Sequence, residues 1–259
     1  MELVGKISKG TRMDQIYIPK NRAGFNGGEY VLILPLSSQN IKKEKFKLFF
    51  YGISNLEKIK LRLIEEIFNL IGKNADFENI IITGSFLERG FCFNDIDILL
   101  VSGKKGDYEN IKGKIEDNFG IKAHFLILNN KELASGLSSE PLYEMMLSKC
   151  ISLKRISLNV KRKINYKILD LALLKSKTLI DNFKILNGNE KYYLVLNMIS
   201  ILLFVQGRKL SKEIINREIE KLFSVKISEI KNNFVDIKFL KRYKQIYNKT
   251  FNKIMENIK

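Results

Sequence analysis

Histidine occurs once in this chain, at His124, and cysteine twice, at Cys92 and Cys150. Two cysteines so far apart supply neither a disulfide framework nor a zinc cluster, and both read as ordinary, partly buried thiols. With no histidine after residue 124, the C-terminal part holds no Arg-x-x-x-x-His ribonuclease site. Long apolar runs are missing too: Leu194 to Val205 is broken by Asn197 and Ser200, so no membrane span is expected. The first residues, with Glu2 and Lys6, contain no apolar core of signal length, and a cytoplasmic location is expected.

What the chain does have is enough apolar content, 45% of 259 residues, to bury a core in one large domain or two smaller ones. Its formal charge is +17, distributed unevenly. Residues 151–259 carry 24 Lys and Arg against 9 Asp and Glu, whereas residues 1–150 carry 21 against 19. Positive charge concentrated in this way suits a polyanion, because neutralising phosphates dominates non-specific affinity for nucleic acids. A lysine-rich solvated surface is the other reading, and it would be expected to enrich both parts alike.

The most informative stretch runs from Ile80 to Val101. An apolar run, Ile80-Ile81-Ile82-Thr83, leads into Gly84-Ser85; after nine intervening residues come Asp95-Ile96-Asp97-Ile98 and then Leu99-Leu100-Val101. Alternation along a strand puts Asp95 and Asp97 on one face, with Ile96 and Ile98 turned into a core. Two carboxylates side by side raise each other's pKa, and a divalent cation relieves the repulsion. Hard oxygen ligands of this kind suit Mg²⁺, which is usually held by one or two carboxylates together with substrate phosphates.

Gly84-Ser85-Phe86-Leu87-Glu88-Arg89-Gly90, followed by Asn94-Asp95-Ile96-Asp97, resembles the DNA polymerase β-like nucleotidyltransferase superfamily, in particular its stand-alone and aminoglycoside-nucleotidyltransferase-like members. The resemblance covers roughly residues 55–130. It implies an α+β fold with a mixed sheet and helices, Gly84 and Ser85 at the nucleotide triphosphate, and Asp95 and Asp97 holding Mg²⁺ or Mn²⁺. Physically, a glycine lets backbone N–H groups approach phosphate, and the serine adds a hydroxyl donor. Arg89 and Lys122 are candidates for neutralising charge that develops on the phosphates.

Active members of that family commonly carry a third carboxylate on the strand corresponding to Ile121–Leu128, facing the first two. Here Lys122 and His124 occupy one face of that strand and Ala123 and Phe125 the other, with no acid. Three readings stand open. His124 supplies a ligand or base in place of the acid; an acid such as Glu88 or Glu132 comes from elsewhere; or the site binds nucleotide without catalysis.

Taken in order, the chain divides into a small β unit over residues 1–37, a nucleotidyltransferase-type domain over 38–135 and a basic helical domain over 136–259. The first contains β-rich runs about Asp14–Arg22 and Tyr30–Pro35, separated by a Gly-rich turn, with Pro19 at an edge. This segment resembles the hairpins of AbrB-type regulators, a resemblance that implies a DNA-binding homodimer formed through residues 1–37; a plain β appendage is the alternative. Residues 38–47 read as a basic linker, and Phe46–Tyr51 as a strand or a helix start.

Ser54 and Glu57 carry a capping-box pattern ahead of an amphipathic helix through Leu56, Ile59, Leu63, Ile67, Leu70 and Ile71, ending at Gly72. Asp107 caps the next helix and Gly120 ends it. From Pro141 an apolar stripe, Leu142, Met145, Met146, Ile151 and Leu153, predicts a helix. Further helices are predicted at 166–186, 190–206, 211–223 and 236–257, arranged as a bundle. The last interleaves Phe239, Tyr243, Tyr247 and Phe251 with lysines, as a packing face or as a base-stacking platform.

The function expected is transfer of a nucleoside monophosphate from a nucleoside triphosphate to an acceptor, RNA or tRNA being favoured by the basic half. The alternative is a non-catalytic nucleic-acid-binding or regulatory protein, on DNA or RNA, that retains the fold as a scaffold.

Overall fold

The computed structural model describes residues 7–16, 31, 33, 46–91, 93–104, 106–157 and 160–256. The chain divides into two units, Met1–Lys43 and Glu44–Lys259. In the first, β1 (Ile7–Ser8) and β2 (Gln15–Ile16) pair antiparallel, with Ile7 opposite Ile16. Most of the expected hairpin over residues 14–35, Pro19 included, lies outside the described residues, as do most of the linker and Cys92.

The second unit is built on a five-stranded mixed sheet in the order β3 (Phe49–Tyr51), β7 (Cys150–Ser152), β4 (Asn79–Thr83), β5 (Asp95–Val101), β6 (Lys122–Leu128). All neighbours run antiparallel except β5 and β6, which are parallel and joined through helix α2 (Tyr108–Phe119). This is the α+β class expected, with a mixed sheet and helices.

Alternation sorts the sheet's side chains. Ile80, Ile82, Ile96, Ile98, Leu100 and Ala123 pack under α1 (Lys58–Asn74) and α2, against Ile64, Ile67, Phe68, Ile71, Ile111 and Ile115. Ile81, Leu99 and Val101 face the other way, against Leu133 and Leu137 of α3 (Asn130–Ser139) and Tyr143 and Leu147 of α4 (Pro141–Ser148). A slip of one residue in β5 would drive Asp95 and Asp97 into the α1/α2 core. Burying unpaired carboxylates costs far more than the slip could gain, so the register is tightly specified.

Two local expectations are corrected. The apolar stripe from Pro141 is not one helix: α4 stops at Ser148, and Cys150–Ser152 form β7 between β3 and β4, with Ile151 fully buried opposite Phe50 and Ile82. The Thr83 hydroxyl donates to the carbonyls of Met146 (2.9 Å) and Lys149 (3.3 Å), tying the end of α4 to the end of β4. A slot in the sheet outweighs helical periodicity here. Nor does Ser54 cap α1: the helix starts after Glu57 and runs past Gly72 to Asn74.

The helical half comprises α5 (Tyr166–Asp181), α6 (Gly188–Val205), α7 (Lys212–Phe223), the short α8 (Ile227–Lys231) and α9 (Ile237–Glu256). Helix α6 is apolar on nearly every side because it is the central rod: Val195, Met198, Ile199, Ile201 and Leu203 are fully buried. Asn187 and Glu190 form a capping box at its start, and Ser211 caps α7 through the amide of Ile214. In α9, Phe239, Tyr243, Ile246, Thr250 and Ile254 face inward; the Tyr243 hydroxyl, fully buried, donates to the carbonyl of Ser176 at 2.9 Å. Phe239 and Tyr243 are therefore core residues and not a stacking platform. Among the described residues no helix is long and apolar enough to cross a membrane.

Arg162 joins this half to α4. Its guanidinium grips the Glu144 carboxylate through two N–H donors (2.9 and 2.6 Å), donates to the carbonyls of Phe204 and Arg208, and lies over the Phe204 ring.

Candidate active site

At the start of β5 the second face of the sheet is left uncovered. Asp95, Asp97, Leu99 and Val101 share that face by alternation; α3 and α4 cover only Leu99 and Val101, so the two carboxylates meet solvent. On the parallel neighbour β6, Lys122 pairs in register with Asp95 and His124 with Asp97. The His124 imidazole thereby comes to rest between the two acids. Its Nδ1 lies 3.5 Å from Asp95 Oδ2 and 3.6 Å from Asp97 Oδ1. One ligand atom from each of the three side chains falls within 4.8 Å of the others, a grouping that could hold a metal ion.

Burial, and next the charge of Asp95, push the Asp97 carboxyl above its ordinary value, while His124 pulls it down. A cation placed here would relieve the like-charge repulsion.

Gly84 lies against this pair. It follows Thr83, which pairs with Asp97 across β4 and β5, and its backbone (φ 85°, ψ −163°) occupies a region open almost only to glycine. A Cβ here would collide with the Asp97 carboxylate. The dihedral favours glycine, and any larger residue would also have to displace the Asp97 carboxylate. Exposed Ser85 opens a 3₁₀ turn, Ser85–Leu87, and Phe86 and Leu87 anchor that turn in the α1/α2 core.

Beneath the loop stands a residue that sequence reasoning missed. Lys60, fully buried on α1, donates from Nζ to the carbonyl of Glu88 (2.6 Å), sits 3.4 Å from the Glu57 carboxylate, and lies 5.3–5.5 Å from the ring centres of Phe86, Phe91 and Phe93. Glu57 in turn accepts from the Gly90 amide at 2.7 Å, a bond that draws its carboxyl below the ordinary range. The signal in the sequence was a lysine at position 60 of the buried stripe 60, 64, 67, 71.

Glu88 and Glu132 do not provide a third acid at the pair. Glu88 binds Lys149 (2.9 Å) and Lys212 (3.2 Å), and Glu132 closes the capping box of α3 with Asn129. Burial works against ionising Glu88, but the two lysines outweigh it and hold its carboxyl below the usual value. Arg89, beyond the turn, and Lys122 are both exposed.

No protein-family model matches the chain, and no match to a curated protein was found. Among solved structures it is similar to spectinomycin adenyltransferase AAD(9) from Enterococcus faecialis, determined with ATP and spectinomycin, at 12% identity over 77% of this chain and 100% of that one, with a TM-score of 0.37.

Proposed function

We propose that this protein is a metal-dependent nucleotidyltransferase that moves a nucleoside monophosphate from a nucleoside triphosphate to an acceptor, with RNA or tRNA favoured. The observation that carries this reading is the convergence of Asp95, Asp97 and His124 at the open end of the sheet, against Gly84, where an added Cβ would strike the Asp97 carboxylate. The donor set fits a divalent cation: two carboxylates and an imidazole lie close enough for a single ion, and one of the acids is held above its ordinary pKa by burial and its neighbour. When bound, Mg²⁺ or Mn²⁺ supplies charge neutralisation for a polyphosphate and for the attacking and leaving oxygens.

The chain's own residues have distinct parts in this reading. Asp95 and Asp97 hold the cation and so fix where the triphosphate lies. Gly84 and Ser85 hold the β- and γ-phosphates, the glycine by letting backbone N–H groups approach them and the serine by its hydroxyl. Arg89 or Lys122 balances charge that builds as an acceptor oxygen bonds to the α-phosphorus and the bond to pyrophosphate breaks. His124 completes the ligand set or takes the acceptor's proton. The basic residues of 151–259 support a polyanionic acceptor over a small aminoglycoside-like one.

The test incubates the full chain with labelled nucleoside triphosphates, Mg²⁺ or Mn²⁺ and total RNA, beside Asp95→Ala. Label transfer by the wild type that the variant lacks is the expected result; equal transfer by both removes Asp95 from the mechanism.

A second reading is supported by the imidazole standing where the resembled enzymes carry an acid: a nucleic-acid-binding protein without catalysis. It requires salt-dependent binding to RNA or DNA with no need for a divalent cation. Nucleotide binding that depends on the cation and is abolished in Asp97→Asn would remove its advantage.

A further inference from the structure

We infer that the Asp95–Asp97–His124 site selects a first-row transition divalent cation over Mg²⁺ and holds it before any nucleotide arrives. The inference rests on the nucleotidyltransferase reading only for what the cation later does; the selection itself follows from the donor set. His124 Nδ1 is set almost equally from the two carboxylates, 3.5 and 3.6 Å away, by the parallel register that pairs Asp97 with His124. The two acids that could have displaced it, Glu88 and Glu132, are committed to lysines and to a helix cap.

The third donor is therefore nitrogen. Mg²⁺ demands oxygen ligands, parts with its water reluctantly and is ordinarily held by one or two carboxylates only once substrate phosphates join them. Imidazole suits the transition ions, which gain from nitrogen what Mg²⁺ does not. Three side chains from adjacent strands make a set complete enough to retain such an ion unaided, where a pair of carboxylates alone would wait for the nucleotide. Each donor comes from regular strand backbone, so little chain ordering opposes binding.

Because His124 is the only histidine, any imidazole signal of the protein belongs to this site. The nucleotide-free full chain is titrated with Co²⁺ and, separately, with Mg²⁺, followed by imidazole proton and ¹⁵N resonances and by calorimetry. The expected result is one saturable Co²⁺ site whose occupation moves the His124 ring signals far outside their normal range, whereas Mg²⁺ leaves them in place. In His124→Asp, circular dichroism being unchanged, the ratio of Co²⁺ to Mg²⁺ affinity falls about tenfold or more as oxygen replaces nitrogen. In Asp95→Asn, which keeps the histidine, the paramagnetic shift is lost.

Three outcomes overturn the inference: Co²⁺ that does not bind without nucleotide, Co²⁺ that binds without displacing the His124 signals, or an affinity ratio unchanged in His124→Asp. Any of these would leave the imidazole beside the acids and outside the ligand set. The readout is independent of transfer activity. A shifted histidine without nucleotidyl transfer sinks the proposed reaction and keeps the site; Mg²⁺-supported transfer with an unchanged ratio does the reverse.

Discussion

Asp97 is held where its charge is unwelcome. It faces a second carboxylate from a half-buried position, with 41% of its side chain exposed. Asp97→Asn should therefore raise Tm in chelator by about 1–2 °C, a gain limited by solvent screening of a partly exposed group. Adding Mn²⁺ should raise Tm of the wild type and leave that of the variant unchanged; thermal melts in both conditions check this. Gly84→Ala tests the neighbouring approach of backbone to carboxylate. The dihedral alone is expected to cost about 1–3 kcal/mol in urea denaturation, and the new methyl group must push the Asp97 carboxylate aside. Cation binding should weaken in calorimetry by more than the stability loss explains. Unaltered affinity in Gly84→Ala would mean the close approach has no part in the site.

At the scale of elements, the loop after β4 joins parts of the second unit that are distant in sequence. Lys60 supports it from α1, while Glu88 reaches Lys149 after α4 and Lys212 in the first turn of α7. Because the Glu88 carboxyl lies below its ordinary value, its contribution to stability is complete above the unfolded value of about 4.3 and is lost as pH falls through the lower, folded value. Glu88→Gln should cost about 0.5–1 kcal/mol at pH 7, modest because 42% of the side chain is exposed to screening. The gap from wild type should close in acid. Denaturant curves at neutral pH and at a pH below the folded carboxyl value check this, and a gap constant with pH would show that the ion pairs are not the cause.

For the molecule as a whole, the excess positive charge lies in the helical half. Lys209, Arg217 and Lys221 line a concavity on and beside α7, together with Arg208, Ile214 and Glu218. Lys212, at the start of the same helix, holds Glu88 of the Gly84–Ser85 loop. If the acceptor is RNA, its affinity for the full chain should fall at least tenfold between about 50 and 200 mM salt. Reversing Lys209, Arg217 and Lys221 to Glu should weaken binding and flatten the salt dependence by about 0.7–0.9 for every phosphate that is no longer neutralised. Fluorescence anisotropy with labelled RNA measures both, and an unchanged slope would remove this face from RNA binding.

The facing of Asp95 and Asp97 could be read directly from residue order, because period-two alternation is local and the apolar Ile96, Ile98 and Leu100 leave one side available to a core. Helices α6, α7 and α9 were legible for a similar reason, since Asn187, Ser211 and the apolar spacing act within a turn or two. His124 was different: its place on a strand face could be seen, but its position between the two acids depends on a parallel pairing with β5 that no local signal specifies. Strand β7 was hidden because Cys150–Ser152 have a helix-compatible pattern, and a vacant place between β3 and β4 exists only once the sheet is assembled. The same holds for Lys60, whose burial becomes tolerable when Glu57, the Glu88 carbonyl and three phenylalanine rings, scattered over residues 57–93, close around its ammonium. Short-range preferences act along the chain, whereas ligand sets and buried charges depend on groups that meet across it.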